Sequence, residues 1–563
     1  MKVRIGIDVG GTFTDVVVID QQTRELIGQL KLPTTHHAEE GVALGIVRAL
    51  ERALQDFAIA PDEVVFIAHS TTQATNALLE GDVARVAVLA GGEGLEGWLA
   101  RRATRVPPIR LTPQRSLTAR QVWLGKDLAP PRRWRPWREW QERQKRLRTL
   151  LEGLAADGVE VLVASNAFGV DQPDHETMLA SEARLAGLLA TSGHEVSSLY
   201  GLRVRTRTAV INAAILPKMI ETAGMTERCV RETGIESPLM IMRSDGGVMS
   251  VGGVRRRPIL TMLSGPAAGI AGALMHERIS DGIFIEVGGT SADISVIRDG
   301  SPATRPARLN GHRMYLNTLD VRTLGVGGGS MIRVRADNDL TIVDVGPRSA
   351  HIAGLGYVCF TEPDRLDGAT IEVIQPTERD ECDHLVLRMR DGQRVALTTT
   401  CAANLLGLVA EDHFARGRAD SAAIAFGLLA ERQGQGSEEV ARQVLELAGR
   451  KIAATIDDLI IEYQLARDQV VLVGGGGGAA SLVPVTASLM GLEHRLARNA
   501  EVISPIGVAM AMVRDSIERN IVDPTPEEIL AVRREATVAA INSGALPESI
   551  EVQVEVDKRR NLV

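Results

Sequence analysis

Two short segments of this chain each combine an acidic residue with a Gly-Gly-Thr turn, residue types that suit the binding of phosphate. The first reads GIDVGGTFTD at residues 6–15, and the second reads FIEVGGTSAD at residues 284–293. In each, a hydrophobic run turns on Gly-Gly-Thr into β-branched residues, a pattern typical of a β-hairpin. Glycine lacks a Cβ and tolerates positive φ, so the backbone N–H groups of such a turn can approach phosphate closely. Two copies in one chain indicate a duplicated domain that grips a nucleoside triphosphate from both sides.

The acids in these turns and one nearby histidine are candidates for catalysis and metal binding. Mg²⁺ takes a few hard oxygen ligands and keeps most of its water, so Asp8 and Asp293 are candidate metal ligands, or they orient the attacking group. Asp15 is a weaker candidate because it lies further into the hairpin. His69 could bind substrate or metal through a neutral imidazole, although a lone histidine more often makes a structural hydrogen bond. The candidate catalytic residues are Asp8, Asp293, Glu286 and His69.

A third glycine run, at residues 474–478, follows a predicted strand and precedes a predicted helix. It would let a nucleotide lie against the chain before the helix begins. Any one glycine-rich turn can be purely structural, but the joint order of the three within one α/β pattern favours ATP binding. The candidate ATP-binding residues are Gly10, Gly11, Thr12, Thr14, Gly288, Gly289, Thr290, Ser291, Gly474, Gly475, Gly476 and Gly477.

Length and composition set the broad class of the protein. A chain of 563 residues should form two or more domains. Its 24% charged and 45% hydrophobic residues and net charge of −8 are typical of a soluble globular protein, without a nucleic-acid or membrane surface. The 4 cysteines are widely spaced, which favours free thiols in a reducing cytoplasm over a metal site or disulfides. The N-terminus enters a predicted strand directly, so we expect no signal peptide and a cytoplasmic location.

Hydrophobic periodicity predicts alternating strands and helices, and hence an α/β fold with a mixed sheet. Besides the two hairpins, the predicted strands are 25–32, 64–68, 83–90, 159–164, 203–207, 239–243, 470–473 and 550–556, with several short strands within 335–400. The predicted helices are 38–57, 72–80, 137–151, 174–189, 209–224, 437–463 and 507–520, and another opens at residue 264. The strand 550–556 could pair with chain beyond residue 563, or form an edge strand at the natural end.

Residues 101–150 differ in character from the rest of the chain, with arginine clusters, several prolines and most of the tryptophans. Two interpretations stay open. The segment is a solvated amphipathic helix entered through a proline-rich loop, or its basic, aromatic face binds a partner or an anion.

The order of the motifs resembles that of the actin-like ATPase fold, which sugar kinases and chaperone ATPases share. More narrowly, the chain resembles the A subunits of the hydantoinase/oxoprolinase family, of the N-methylhydantoinase and 5-oxoprolinase type. The segments that carry this resemblance are GIDVGGTFTD (6–15), HSTTQATNALLE (69–80), MRSDGGVMS (242–250), SGPAAG (264–269) and GVGGGS (325–330). The resemblance implies an α/β fold with duplicated actin-like, ribonuclease-H-like domains around a nucleotide cleft, and an additional inserted or C-terminal β-containing region.

The resemblance also implies three regions in the chain. Residues 1–195 would form the first ATPase half, with the basic insert at about 101–150. Residues 196–520 would form the second half, with a β-rich insert at about 330–400. Residues 521–563 would begin a C-terminal region, which either continues beyond residue 563 or ends there.

The activity that the resemblance implies is that of an ATP-dependent hydrolase subunit, which phosphorylates and opens a cyclic amide such as a hydantoin, 5-oxoproline or a related lactam or imide. It would use ATP and Mg²⁺, act with a B subunit and form an oligomer. A lactam carbonyl is a poor electrophile, and O-phosphorylation turns its oxygen into a leaving group. Two alternatives stay open: a chaperone-like reactivating ATPase for a partner enzyme, and an ATP-dependent ketone carboxylase subunit.

The departures from the family pattern are residues 101–150, residues 346–350 and the two positions that follow. Glu286 stands where the family has aspartate at the second turn; it keeps the charge, but its extra methylene would shift a closely positioned metal or base. Residues 401–404 read CAAN where the family has TDAN, so a carboxylate is missing at position 402.

Overall fold

The computed structural model describes residues 1–10, 13–35, 42–92, 94–124, 137–335, 339–378 and 380–563. These residues form two compact units. The first unit contains Met1–Ala267, Thr304–Thr318 and Ala511–Val563, and the second contains Ala268–Ala303 and Leu319–Met510. The second unit is thus inserted into the sequence of the first. The division at residues 195 and 520 that the sequence suggests stays a prediction.

The central sheet of the first unit is built on the first hairpin, the antiparallel strands Val3–Val9 and Phe13–Asp20. Ile7 on one face of the hairpin and Val17 on the other are both fully buried, so both faces of the sheet are covered. A third strand continues the hairpin antiparallel on one side, and two strands run parallel to Val3–Val9 on the other. Across the described sheet the order is Val248–Ser250, Leu239–Met242, Val64–Thr71, Val3–Val9, Phe13–Asp20 and Leu26–Pro33.

The second unit repeats this arrangement. Its second hairpin, Gly282–Val287 and Ala292–Arg298, is antiparallel, with antiparallel neighbours beyond one strand and parallel neighbours beyond the other. In the described sheet, Ser301–Pro302 and Val321–Leu324 pair with the same outer edge of Ala292–Arg298. On its other edge, Gly282–Val287, Val471–Gly475 and Glu493–Leu496 follow in that order. An antiparallel hairpin continued by parallel strands therefore occurs in both units, and the predicted duplicated α/β fold is confirmed.

Further sheets join each unit. In the first unit, a parallel sheet contains Leu189–Ser192, Val161–Ala164, Val86–Gly91 and Ala119–Leu124. Part of the segment predicted as an insert therefore supplies a strand of this sheet. In the second unit, the predicted short strands form a sheet of Ile342–Ser349, Ser330–Val334, His384–Arg388, Arg394–Ala396, Gly356–Tyr357 and Thr370–Ile374. Smaller pairs are Ile109–Arg110 with Ser116–Leu117, and Thr304–Leu309 with His312–Leu319.

Helices bury apolar faces against these sheets. Val42–Asp56, for example, buries Ile46 and Leu50 one turn apart. None of the helices in the described ranges has both the length and the apolar character needed to cross a bilayer. The expected start of helix 38–57 and the proline-rich loop before residue 137 lie outside the described residues. The described helices are Val42–Asp56, Gln73–Glu80, Gly94–Ala103, Trp137–Ala156, Asp174–Leu185, Gly193–Val196, Leu202–Glu232, Val251–Val254, Ser264–Met275, Thr399–Leu405, Ala419–Gln433, Ser437–Glu462, Ala479–Met490, Ile503–Met510 and Pro526–Asn542.

Residues 203–207, predicted as a strand, instead belong to the long helix Leu202–Glu232. The alternation of arginine with β-branched residues suggested a strand. In the structure, Thr206 and Thr208 each donate a side-chain hydrogen bond to the carbonyl four residues earlier, at 2.7 and 2.8 Å. Arg205 is buried and donates to two carbonyl oxygens outside the helix, at 3.2 and 2.6 Å. Because the two threonine hydroxyls and the terminal nitrogens of Arg205 find acceptors inside the fold, tertiary contacts override the local strand pattern.

Two predicted elements near the C-terminus were also wrong. The predicted helix 507–520 is the shorter Ile503–Met510. Residues 511–520 beyond it form no helix. Val513 forms a parallel bridge with Val248, so pairing with the edge of a sheet replaces the last helical turns. The run 550–556 alternates in polarity but forms no strand in the structure, and Val554 and Val556 remain exposed because no sheet face packs on them.

Candidate functional site

The acid of the first hairpin lies in a cluster of polar side chains on one face of the central sheet. Asp8 stands directly opposite Asp15 in the antiparallel ladder and beside Ser70 in the parallel one. The Ser70 hydroxyl donates a hydrogen bond to Asp8 Oδ1. The Lys31 ammonium donates to both Asp15 oxygens, at 2.9 and 3.0 Å. Strand register thus brings together two carboxylates, a hydroxyl and an ammonium, of which Ser70 and Lys31 were not among the sequence candidates.

The two carboxylates of this cluster have perturbed acidities. Burial raises the pKa of Asp8 to about 6; the Ser70 hydrogen bond and Lys31 oppose this shift, and the Asp15 charge adds to it. Burial also raises the pKa of Asp15, against the effect of Lys31. Asp8 can therefore gain or lose a proton close to neutral pH, as groups that take part in catalysis often do.

The turn of the first hairpin begins at Gly10, whose N–H donates to the Phe13 carbonyl oxygen at 3.0 Å. Thr14, a candidate ATP-binding residue, is fully buried and hydrogen-bonds the Thr34 hydroxyl at 3.2 Å. Thr34 in turn donates to the Gly10 carbonyl oxygen at 3.0 Å. Thr14 therefore supports the turn from within the fold. The candidates at 11–12 lie outside the described residues.

His69 faces away from Asp8. Successive side chains of a strand point to opposite faces, and Ser70, which follows His69, shares the face of Asp8. His69 is buried; its Nδ1 hydrogen-bonds the Ser70 carbonyl oxygen at 2.9 Å, and its Nε2 has no partner among the described residues. Burial lowers the pKa of His69, so the imidazole is neutral at pH 7. The structure does not bring these two candidate catalytic side chains onto one face.

The acids of the second hairpin also have hydroxyl partners. Glu286 accepts a hydrogen bond from the Ser504 side chain and packs against the backbone of a helix at Gly269, where an added Cβ would collide with Glu286 Oε2. The longer side chain of Glu286 therefore extends into space that Gly269 leaves open. Asp293 accepts a hydrogen bond from the Thr323 hydroxyl at 2.5 Å, and burial raises the pKa of Asp293.

Two glycine runs, at residues 327–329 and 474–478, meet beside the second turn. The N–H groups of residues 328 and 329 donate to carbonyl oxygens of the turn at 2.9 and 2.7 Å, and the N–H of residue 478 donates to the preceding strand at 2.8 Å. Side chains would not fit here: a Cβ on Gly327 or on Gly478 would lie 2.6 or 2.9 Å from the Gly288 carbonyl oxygen. The turn is therefore held by the backbone of two glycine runs distant in sequence.

The other candidates in the second turn are held by the fold as well. The Thr290 hydroxyl hydrogen-bonds Ser349 at 3.0 Å. The Ser291 carbonyl oxygen accepts from the Gly288 N–H at 2.9 Å and closes the turn. A Cβ on Gly289 would lie 2.7 Å from the His351 ring.

Most of the candidates at 474–477 are packed against protein. Gly474 and Gly475 end the strand Val471–Gly475 and are buried; a Cβ on either would lie 2.8 or 2.7 Å from a neighbouring leucine or phenylalanine side chain. Gly476 is buried with a φ of +84°, a conformation that favours glycine. Of these four, only Gly477 is half-buried, so it is the position most open to a ligand.

The CAAN segment lies in the helix Thr399–Leu405, whose first turn contacts a glycine run. The Thr399 hydroxyl donates to the Gly327 carbonyl oxygen at 2.7 Å, and the Thr400 N–H donates to Gly328 at 3.0 Å. Ala402 is fully buried, so position 402 places a small apolar group in the core.

The MRSDGG motif at 242–247 makes ion pairs with Asp515, in the C-terminal segment Ala511–Val563 of the same unit. Arg243 pairs with Asp245 at 2.8 Å and with Asp515 at 3.4 Å, and Arg257 pairs with Asp515 at 2.7 Å. Burial alone would raise the pKa of Asp515, but the Arg257 and Arg243 guanidinium groups hold it below its ordinary value. Sequence reasoning missed this cluster because Asp515 is distant from the motif along the chain.

Within the described ranges, no three or more His, Cys, Asp or Glu side chains are arranged to hold a metal ion. Mg²⁺ is usually bound through one or two carboxylates together with substrate phosphates and water. The partly buried carboxylates of Asp8 and Asp293, each with a raised pKa, suit a cation bound in that way.

Comparison with known families identifies the chain. The family model described as Hydantoinase/oxoprolinase matches residues 205–517, and the model of the Hydantoinase/oxoprolinase N-terminal region matches residues 4–187. The chain belongs to the hydantoinase/oxoprolinase family. The two matches include all five segments that carried the resemblance.

Individual relatives of this hydantoinase/oxoprolinase family member are more distant. Caprolactamase subunit alpha of Pseudomonas jessenii is 28% identical over 380 residues, which are 63% of this chain and 52% of that protein. The acetophenone carboxylase gamma subunit of Aromatoleum aromaticum is 27% identical over 397 residues, 65% of this chain and 52% of that protein. The chain thus spans about half the length of these relatives.

Solved structures support the fold. The ATP-dependent caprolactamase from Pseudomonas jessenii is 24% identical with a TM-score of 0.66, and the match covers 96% of this chain and 77% of that chain. The nucleotide-free structure of acetone carboxylase is 18% identical with a TM-score of 0.62. That match covers 97% of this chain and 77% of the acetone carboxylase chain. The α/β fold predicted from the sequence is that of these proteins.

Proposed function

We propose that this chain is an ATP-dependent hydrolase subunit that phosphorylates and opens a cyclic amide. The observation that carries the proposal is a pair of facing acids beside a glycine turn in each unit: Asp8 with Asp15, and Glu286 with Asp293. Phosphoryl transfer depends mainly on positioning and charge neutralisation. Carboxylates that can bind a cation, placed beside a glycine turn that a phosphate can approach, support both.

The proposed reaction begins with attack of the amide carbonyl oxygen on the γ-phosphorus of ATP. The bond from phosphorus to the ADP oxygen breaks, and the amide nitrogen passes its proton to a carboxylate of the site, for which Asp8, Glu286 and Asp293 are the candidates. Water then adds to the activated carbon, and the ring C–N bond breaks as the nitrogen is protonated. A second water hydrolyses the resulting acyl phosphate to a carboxylate and phosphate. Asp8 in the first unit and Asp293 in the second are each a candidate ligand of hydrated Mg²⁺, which would supply positive charge at the phosphate oxygens.

The choice of substrate class is supported by relatives that act on cyclic amides. Caprolactamase subunit alpha and the 5-oxoprolinase of Saccharomyces cerevisiae are both among them. A second candidate function is ATP-dependent carboxylation of a ketone, since acetophenone and acetone carboxylase subunits are relatives too. Both reactions use phosphorylation to activate a carbonyl oxygen or an enolate.

The proposal includes a second subunit. Relatives are named as alpha, beta and gamma subunits, which supports a role for this chain within an oligomer that contains a B-type partner. In that arrangement this chain supplies the ATP-dependent step.

The test is Mg·ATP hydrolysis by the purified chain, alone and with hydantoins, 5-oxoproline or larger lactams. ADP release stimulated by one cyclic amide supports the proposal. Stimulation by a ketone that also requires bicarbonate would favour the carboxylase. Stimulation by a partner protein and by none of the small molecules would overturn the proposal in favour of a reactivating ATPase.

A further inference from the structure

Two thiols in the core of the second unit are in contact with each other. Cys359 and Cys401 are both fully buried and both unoxidised. The Cys359 N–H donates to Cys401 Sγ at 3.4 Å, and the two thiols also share a hydrogen bond. Their separation of 42 residues along the chain hid this contact from sequence reasoning. Thiols in contact can form a disulfide when an oxidant brings the sulfurs to about 2 Å from each other.

Cys401 is the more reactive of the two thiols. Its sulfur accepts hydrogen bonds from the Cys359 N–H and, at 3.3 Å, from the Thr398 hydroxyl. Burial alone would raise the pKa of Cys401, but these donors and the Cys359 thiol lower it. The hydrogen bond that the Cys359 thiol gives to Cys401, together with burial, raises the pKa of Cys359. Because the thiolate is the form that reacts, Cys401 is the thiol that an oxidant attacks first.

The Cys359 thiol lies directly beneath a glycine of a surface loop. A Cβ on Gly417 would lie 3.1 Å from Cys359 Sγ, and Gly417 is half-buried between the exposed Arg416 and Arg418. Only backbone therefore covers the thiol at this point. Loops of this kind open locally at a small cost in free energy, so a small oxidant such as hydrogen peroxide can reach the pair without unfolding of the core.

Cys401 is connected to the second phosphate turn by a short series of hydrogen bonds within the second unit. Thr400, the residue before it, donates its N–H to the Gly328 carbonyl oxygen at 3.0 Å. The Gly328 N–H in turn donates to the Gly288 carbonyl oxygen, in the turn itself, at 2.9 Å. A disulfide would pull on the helical turn that carries Cys401, because it brings the two sulfurs closer together. That movement would reach the Gly288 turn through these two hydrogen bonds.

We propose that Cys359 and Cys401 are a redox-sensitive pair, which an oxidant joins in a disulfide that weakens phosphate binding at the second turn. With hydrogen peroxide, the Cys401 thiolate attacks one oxygen, the O–O bond breaks, and the departing hydroxide takes up a proton to become water. The Cys359 thiol then loses its proton and attacks the sulfenic acid on Cys401; the S–S bond forms, the S–O bond breaks, and a second water leaves. The two thiols are thus oxidised by two electrons and one peroxide is reduced. This inference rests on the proposed ATP-dependent function and adds its regulation.

The experiment compares the full chain reduced with dithiothreitol and the same chain treated with hydrogen peroxide. Mass spectrometry of unreduced peptides detects a cross-link between Cys359 and Cys401, and isothermal titration calorimetry measures the binding of inorganic tripolyphosphate. For the wild type we expect the cross-link after peroxide, about tenfold weaker tripolyphosphate binding, and recovery with dithiothreitol. Cys359→Ser and Cys401→Ser should bind tripolyphosphate equally well with and without peroxide. The matched control is Cys382→Ser, an exposed cysteine of the same unit, which should respond to peroxide as the wild type does.

The outcomes separate the redox role from the proposed function. If peroxide gives no cross-link, or gives it without weakening tripolyphosphate binding, the redox role is overturned and the proposed function stays in place. Weakening by peroxide that persists in Cys359→Ser and Cys401→Ser also overturns the redox role, because oxidation elsewhere would then be the cause. A reduced wild-type chain that binds neither ATP nor tripolyphosphate overturns both. Thermal unfolding shows that the reduced variants are folded, and the cross-link in the wild type is detected without any variant.

Discussion

Glu286 lies directly opposite Asp293 in the antiparallel ladder of the second hairpin. Asp8 and Asp15 occupy the same two positions of the first hairpin. Glu286 is therefore the counterpart of Asp8, and Asp293 is the counterpart of Asp15. The two candidate metal ligands chosen from the sequence, Asp8 and Asp293, thus come from different positions of the repeated element.

Each acid at the first of these positions accepts a serine hydroxyl, but from a different part of the fold. Ser70 reaches Asp8 from the neighbouring parallel strand, whose counterpart position in the second unit is Gly475. Ser504 reaches Glu286 from a helix instead. The two acids therefore have the same kind of hydrogen-bond partner, supplied by different elements of the fold.

Replacing Asp8 by asparagine should reduce ATP turnover by about 100-fold or more, because the site loses a charge that faces the phosphate turn. ADP release under saturating Mg·ATP, with the stimulating substrate present, measures this. Asp56→Asn, an exposed acid at a helix end, is the matched control and should leave turnover unchanged. Wild-type turnover in the Asp8 variant would exclude this carboxylate from the reaction.

The same substitution should stabilise the protein at neutral pH. The pKa of Asp8 is about 6 in the folded state and near 3.8 when unfolded, so the native state binds more protons between these values and stability falls as pH rises from about 4 to 6. Asparagine removes this effect and should add about 1–2 kcal/mol to the free energy of unfolding at pH 7.5. Urea unfolding at pH 4 and 7.5 should show a larger free energy of unfolding for Asp8→Asn than for wild type only at the higher pH. An equal increase at both pH values would contradict the idea that burial raises the pKa of Asp8.

Ser70→Ala should move the acid limb of the pH–rate profile to higher pH. The Ser70 hydrogen bond favours the ionised form of Asp8 and opposes the rise of its pKa, so its removal should shift the limb upward from about pH 6 by about one unit. A purely structural role would lower the rate at all pH values without moving the limb. Ser70→Thr, which keeps the hydroxyl, should restore the original profile.

Gly269→Ala should destabilise the second unit by about 1–3 kcal/mol, because the new methyl group would collide with Glu286 Oε2. Gly265→Ala, in the same helix, is the matched change: a Cβ there meets no atom within 4 Å, and alanine should stabilise the helix slightly. Denaturant unfolding of the two variants measures the difference. If Gly269→Ala and Gly265→Ala had similar free energies of unfolding, the Glu286 side chain would be able to move away from the new methyl group at no cost in stability.

Asp515→Asn should lower the free energy of unfolding by about 3 kcal/mol or more. The substitution leaves the buried Arg243 and the adjacent Arg257 without their shared carboxylate. The pKa of Asp515 is held below its ordinary value, so its contribution is present above pH 4 and lost as the pH falls further. The difference in free energy of unfolding between wild type and Asp515→Asn should therefore become smaller in acid. Asp523→Asn, at an exposed position, should behave as wild type throughout.

Local sequence patterns were sufficient for both hairpins and for most helices. They could not give the register that places Ser70 beside Asp8, because that pairing joins strands distant along the chain. The strand that they predicted at residues 203–207 is helical. There the buried arginine and the threonines alternate as in a strand, but the threonine hydroxyls donate to carbonyl oxygens of the same helix. In such places the tertiary partners, which the sequence does not name, decide the structure.

The sequence shows where the glycine runs lie but not what each glycine is needed for. A glycine required for a ligand and a glycine required for close backbone packing look the same in a sequence. The structure separates them: Gly474, Gly475 and Gly476 are buried against protein, whereas Gly477 is half-buried.

The order of the two units along the chain has a consequence for synthesis. The first unit includes Ala511–Val563: Arg4, in its first strand, donates to the Ala511 carbonyl oxygen at 3.0 Å, and the Val248 N–H donates to Met512 at 2.9 Å. A ribosome adds about 5–20 residues per second, so roughly 12–50 seconds pass between residues 267 and 511. Throughout that interval the strand edge at Val248 has no partner from this segment, while the second unit already has all of its residues by Met510. The half of the molecule that leaves the ribosome first is the last to be completed, and a chaperone that protects nascent chains would be needed there first.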